Sequence, residues 1–208
     1  MSYAEYSVCA VSFRKRSYHH GDLRAELLQR AEETLRESGV DGLSLRQLAR
    51  DAGVSHAAPS RHFRDKQALL DALALSGFER LAELNQEAGA EGTFPERMLA
   101  FARIYLKFAI ENSELLAVMF TRKHSPDSGP DLAAAAERAF AVPMATIAEG
   151  QARGEVAAGD PIRIGLPAIA ALQGLATFVG TGFVTAENLD ELLADTVAQL
   201  MQGLRPRD

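Results

Sequence analysis

Apolar positions recur every three to four residues through most of the 208-residue chain, and the places where that rhythm breaks divide it into helices. Leu27, Leu28, Ala31 and Leu35 set the first stripe. It predicts a helix over about 22–38, ended by Ser38 and Gly39, with Gly39 in the left-handed position that closes a helix. Leu45, Leu48, Ala49 and Ala52 form a second stripe behind Ser44, a natural N-cap, and leave Arg46 and Arg50 together off the apolar side. Gly53-Val54-Ser55 reads as a tight turn in which glycine permits the bend, Val54 plugs the angle and Ser55 caps a third helix, expected from His56 to about Phe63. Pro59 lacks an N–H and fixes φ, which costs little only near a helix start, so that start is placed near Ser55. Asp65 is expected to cap a long helix reaching about Ala88, followed by a glycine-bearing loop over 89–94. Helical patterns over 95–112, 113–121, 131–152, 161–183 and 188–204 complete the chain, with "KHSPDSGP" and "GEVAAGDP" as breaks. Strand patterns are missing, so the expected fold class is all-α.

Charge changes this picture by locating a function. The chain carries a net −6, which argues against a nucleic-acid partner until it is divided: residues 1–80 sum to +1 and residues 81–208 to −7. Arg46, Arg50, Arg61, Arg64 and Lys66 face only Asp51 and Asp65 between Ser44 and Lys66, and Arg14, Lys15 and Arg16 form a second cluster upstream. Local positive charge of this kind is what a phosphate backbone selects, and a solvated helix face can look the same. The single cysteine, Cys9, leaves no intrachain disulfide and fits a reducing compartment. The first residues lack the succession of a signal peptide, and a cytoplasmic location is expected.

Two short helices, a glycine turn and an exposed polar second helix describe a helix-turn-helix. Ala57 and Ala58 let a backbone approach a surface closely, while His56, Ser60, Arg61 and His62 surround them with donors. Rival chemistries fail on spacing. Gly53-Val54-Ser55-His56-Ala57 brushes against a nucleophile elbow, but an amphipathic helix precedes it instead of a strand. His56 and His62, six residues apart, point about 240° apart on a helix and cannot share a metal. His19, His20 and Asp22 are too loosely spaced for a site. Zinc spacings, phosphate loops and dinucleotide fingerprints do not occur. No enzymatic activity, cofactor or metal is expected.

Residues 18–74, "YHHGDLRAELLQRAEETLRESGVDGLSLRQLARDAGVSHAAPSRHFRDKQALLDALA", resemble the DNA-binding region of the tetracycline-repressor (TetR) family of bacterial transcription regulators. The resemblance covers the first third of the chain. It implies a basic arm over 1–17, a helix-turn-helix domain over 18–66 and a helical regulatory and dimerisation domain over 67–208. Carried over by position, Ser44, Arg46, Ser55, His56, Ala57, Ser60, Arg61, His62 and Lys66 are the implied DNA contacts, with His62 and Lys66 on backbone, Arg46 on backbone or a base edge, and the front of the recognition helix on base edges. Many members carry a tyrosine where this chain has Ser60, whose reach is shorter. Phe63 is expected to be core. The implied partners are a palindromic double-stranded operator and a second copy of the chain.

Ile164 to Val184 carries no charge over 21 residues, which permits a membrane span by length, yet its glycines, threonines and Gln173 make it only modestly apolar. With the amphipathic "LDELLADTVAQLMQGL" it resembles the helix pair through which the family dimerises; plain core is the other reading. The "AALQGLATF" segment also resembles a C-terminal family variant that places tryptophan and then His-Gly here, where this chain has no tryptophan and Gln173 precedes Gly174. Phe101, Tyr105 and Phe108, Met119 and Phe120, Phe140 and Met144, and Gln173 and Thr177 are the candidate lining of a cavity for an unidentified small effector. An ordinary bundle core accounts for the aromatic and methionine residues equally well, but a buried Gln173 amide would need partners.

Overall fold

Amphipathic stripes separated by glycine, proline and short polar runs produce eight α-helices over residues 23–88 and 91–205, which the computed structural model describes; no strand occurs among them. They are α1 (Leu23–Gly42), α2 (Leu45–Asp51), α3 (Lys66–Ala88), α4 (Phe94–Glu111), α5 (Ser113–Lys123), α6 (Pro130–Ala152), α7 (Pro161–Gly180) and α8 (Ala186–Gly203). The basic cluster Arg14, Lys15 and Arg16, with Cys9, His19, His20 and Asp22, lies outside the described residues.

The first stripe is buried as its spacing requires, with Leu27, Ala31 and Leu35 closed to solvent. α1 kinks at Gly39, whose φ of 65° is left-handed as the sequence suggested. Ser44 stands in an extended conformation at the N-cap of α2, but its hydroxyl makes no capping bond. At the other end Gly53, φ 67°, donates to the Arg50 carbonyl and Val54 donates to that of Ala49, closing α2 with both bonds of a Schellman motif.

The expected helix from His56 to Phe63 does not form. A turn in which the Ala58 amide donates to the Ser55 carbonyl (2.9 Å) leads into one 3-10 turn, Pro59–Arg61. The cause is Pro59: an α-helix starting at Ser55 would need an N–H at position 59 to reach the Ser55 carbonyl, and proline has none. Ser55 therefore serves this segment through its carbonyl. Phe63 closes the segment from inside, 2% exposed, with the Arg24 guanidinium 5.5 Å from its ring centre.

Asp65 caps α3 through a 2.8 Å bond from the Ala68 amide. α4 begins at Phe94, one residue earlier than the apolar pattern indicated, because Glu96 turns back to accept from both the amide and the hydroxyl of Thr93 (2.8 and 2.7 Å). The remaining boundaries fall within a few residues of expectation, the widest departure being the end of α1, which runs past Gly39 to Gly42, followed by α7, which stops at Gly180.

α3 is the shared element. Its buried side includes Leu69, Leu73, Phe78 and Leu81, and one continuous apolar cluster runs from Leu23 in α1 through α3 to Leu193 and Val197 in α8. Gly77 lets α5 come close: a Cβ there would sit 2.5 Å from Met119 Sδ and 3.0 Å from Met119 Cγ. Arg122, the cation buried at the end of α5, is held by Asp71 Oδ1 (2.6 Å), Gln67 Oε1 (2.7 Å) and Ser125 Oγ (3.2 Å), which ties the first turns of α3 to α5. Arg80 binds Glu32 of α1 (3.1 Å) and Asn112 at the α4–α5 junction (2.8 Å).

Gly77→Ala sets helix propensity against overlap. Alanine favours a helix over glycine by about 1 kcal/mol, and overpacking costs about 1–3 kcal/mol. The expected net result is a loss of about 1 kcal/mol, read as a lower urea midpoint with an unchanged slope.

Candidate functional site

Two regions concentrate functional side chains. The first is the surface formed by α2, the Gly53 turn and the 3-10 segment. Ser44, Arg46, Ser55, His56, Ala57, Ser60, Arg61 and His62 are all exposed there, and Lys66 is half-buried at the start of α3. Arg50 is engaged by Gln47 and Arg64 by Asp65 (3.1 Å), whereas Arg46, Arg61 and Lys66 make no ion pair among the described residues. Asp65 is the nearby acid, and its carboxyl is held below the usual carboxylate range mainly by the Ala68 amide, with Arg64 assisting.

The second region is a partly open cavity between α3, α4, α6, α7 and α8. It is narrow, about 70 Å³, several times what one water needs. Phe101, Tyr105, Phe140 and Met144 of the sequence-derived set line it, joined by Met98, Met201 and Asn85.

The other expected residues lie elsewhere. Phe108 is buried beyond the cavity, beneath the Arg80 guanidinium, 5.1 Å from its ring centre. Met119 fills the space left by Gly77, and Phe120 meets Phe78 edge-on with ring centres 6.2 Å apart. Gln173 and Thr177 do share a face of α7, but not the cavity face. That face belongs to Gly165, Ala168, Ile169 and Leu172, and Gln173 lies about 100° further round. Gln173 and Thr177 border a groove with Ile110, Ser113 and Leu116, and the Thr177 hydroxyl donates to the Gln173 carbonyl (2.9 Å). Gln173 is half-buried, so the demand for buried amide partners does not arise.

The comparisons agree with this two-part geometry. Residues 27–73 match the family described as bacterial regulatory proteins, tetR family, and residues 98–200 match the tetracyclin repressor-like C-terminal domain. The chain belongs to the TetR family. A solved protein of unknown function from Rhodococcus sp. RHA1 is similar over 92% of this TetR chain and 100% of its own, with 45% identity and a TM-score of 0.82. An HTH-type transcriptional repressor of Mycobacterium tuberculosis is 34% identical over 82 residues, 39% of this chain and 44% of that protein. The class A tetracycline repressor from transposon 1721 of Escherichia coli is 52% identical over 48 residues, 23% of this chain and 22% of its own. The chain thus spans less than half the length of these curated relatives.

Within this TetR fold, sequence reasoning missed the residue that brings polarity to the cavity. Asn85 is 4% exposed, and its Nδ2 donates to the Ala139 carbonyl of α6 (2.9 Å). Ala139 is four residues before Pro143, a proline inside α6, so the helical bond that would normally occupy this carbonyl has no donor. The side chain of one helix thereby repairs the backbone of another. Holding the amide this way leaves Asn85 Oδ1 as a buried acceptor with no partner among the described residues. The Tyr105 hydroxyl, in a residue 5% exposed on the same cavity wall, also has none. Burial pushes the Tyr105 phenol well above its usual range, so it remains a neutral donor. The signal that could have found Asn85 was Pro143 within an otherwise helical pattern, which advertises a free carbonyl four residues earlier.

The pairing of Asn85 with Pro143 is open to a double-mutant cycle. Asn85→Leu alone is expected to cost about 1–3 kcal/mol, because it strips a buried carbonyl of its donor. In a Pro143→Ala background, where residue 143 supplies the bond, the same substitution should cost less by about 1 kcal/mol, measured by chemical denaturation.

Proposed function

We propose that this protein is a sequence-specific DNA-binding transcriptional repressor that acts as a homodimer and is released from its operator by a small molecule in the cavity. The observation that carries the reading is the exposed surface over 44–66, where Arg46, Arg61 and Lys66 make no ion pair with any described carboxylate, in a chain that is acidic as a whole. Unpaired cations at these positions suit phosphate contacts, while His56, Ala57 and Ser60, presented by the turn and the 3-10 segment, suit contact with base edges. The relatives named as repressors support the same reading. A helical interaction protein without DNA binding is the alternative; it leaves the free cations without a purpose. The chain has a regulator's role in this reading and no catalytic one, and works in the cytoplasm.

A second copy gives the exposed apolar residues of the last two helices a partner. Ile162 and Leu166 on α7 are 68% and 60% exposed, and Phe183 just beyond it is 78% exposed with its ring 5.1 Å from Phe178. α7 is long and apolar enough to cross a membrane by length and composition. Its other side, however, is committed to packing on α4, α6 and α8, which suits a protein interface better than lipid. Gly174 and Gly180 have open space where a Cβ would stand, as a close helix contact across copies requires.

Release has a path through α3, which starts at Lys66 beside the DNA surface and presents Asn85 to the cavity roughly 28 Å away at 1.5 Å per residue. A ligand that binds the DNA-incompetent arrangement better by about 1–3 kcal/mol suffices to shift the population.

Arg46→Ala and Lys66→Ala are each expected to weaken duplex binding for all sequences and to flatten the log–log salt dependence by about 0.9. His56→Ala should change which sequence is preferred. Unchanged affinity in the Arg46/Lys66 double variant would favour the interaction protein.

The preferred site should be a palindrome with half-sites about one helical turn apart or a multiple of it. Light scattering at micromolar concentration should give a dimer, and Gly174→Leu should shift it toward monomer. A monomeric parent protein would refute the assembly.

A further inference from the structure

The cavity is built almost entirely of hydrocarbon and thioether groups, and among the described residues no lysine, arginine, histidine, aspartate or glutamate lines it. A charged ligand would lose its hydration there with nothing to replace it. Against that background stand two polar atoms that the protein leaves without partners, Asn85 Oδ1 and the Tyr105 hydroxyl, in residues more than nine-tenths buried. Buried polar groups are ordinarily satisfied, because an unmade bond costs about as much as the desolvation of the group. Their roles are also assigned. Asn85 has its Nδ2 committed to the Ala139 carbonyl, so its oxygen offers only acceptance. The Tyr105 hydroxyl can donate. A group that donates to the first while accepting from the second completes both.

From these features we infer that the cavity takes a small, uncharged, largely apolar molecule bearing a hydroxyl group, which donates to Asn85 Oδ1 and accepts from the Tyr105 hydroxyl. The inference rests on the cavity being the effector site, and adds the chemistry of its occupant. The narrow space excludes bulky ligands in the arrangement seen here. Met98, Met144 and Met201 on the walls have unbranched, adaptable side chains that let it widen around a ring.

Three probes of similar size separate the contributions: benzyl alcohol, toluene and benzoate. Isothermal titration of the full-length protein should show benzyl alcohol binding about tenfold more tightly than toluene, the ratio expected of one net buried hydrogen bond, and benzoate binding more weakly than either. Tyr105→Phe removes a single oxygen that has no partner in the empty protein, so the variant should fold. It should lose most of the preference for the alcohol while keeping its affinity for toluene. Equal binding of benzyl alcohol and toluene, or an undiminished preference in Tyr105→Phe, would overturn the hydroxyl assignment and leave the effector site standing. Tightest binding by benzoate would overturn the exclusion of charge. If none of the three binds, and none alters the methyl resonances of Met98, Met144 and Met201, the cavity is not a ligand site and both readings fall.

Discussion

The packing of α3 constrains everything else in this molecule, because one helix supplies core to both halves. Its apolar residues share one cluster with α1 and Phe63, and it packs most extensively on α5 and α6. The missing side chain at Gly77 sets the closeness of α5, and Arg122 fixes the alignment of the two helices by gripping Gln67 and Asp71. A buried guanidinium with three oxygen partners tolerates little sliding, since any displacement strands a charge in an apolar surround. The exposed surface over 44–66 and the cavity are consequently attached to opposite ends of a single stiff rod.

Repeating patterns made the architecture legible in the sequence. Leu27, Ala31 and Leu35, or Leu45, Leu48, Ala49 and Ala52, identify their helices because burial on one side demands that spacing, and Gly39 and Gly53 announce left-handed backbone that other residues resist. The segment after Ser55 departs from its helical composition for a physical reason. Its composition suited a short helix, but the missing N–H of Pro59 acts on a carbonyl four residues away, and that loss decides between an α-helix and a turn. Phe94 entered its helix early because Glu96 reached back to Thr93, a contact between side chain and backbone that apolar spacing does not record.

The cavity was legible in part. Phe101, Tyr105, Phe140 and Met144 were placed in it by helical spacing, which tells which residues share a side of one helix. Spacing does not tell which of several neighbours that side will face, and so Phe108, Met119 and Phe120 went into other parts of the core. Gln173 illustrates the same limit: it is a polar residue in an uncharged stretch, yet the rotation of α7 turns it toward a half-open groove. Asn85 drew no attention because α3 contains several polar residues, and its distinction lies in meeting Ala139, 54 positions along the chain.

Pro143 also limits how the molecule can move. Because the Ala139 carbonyl is completed by a side chain from α3, a rotation or slide of α6 along α3 would leave that oxygen bare in a dry interior. The two helices are therefore pinned at this point and travel as a unit, with no freedom to shear past each other. Any change in the size of the cavity has to come from its opposite wall, where α4, α7 and α8 approach, and α8 joins that wall through the carbonyl of Leu204, which accepts from the Ala157 amide (2.8 Å) in the link between α6 and α7. A proline that weakens one helix thus selects which half of the bundle can breathe.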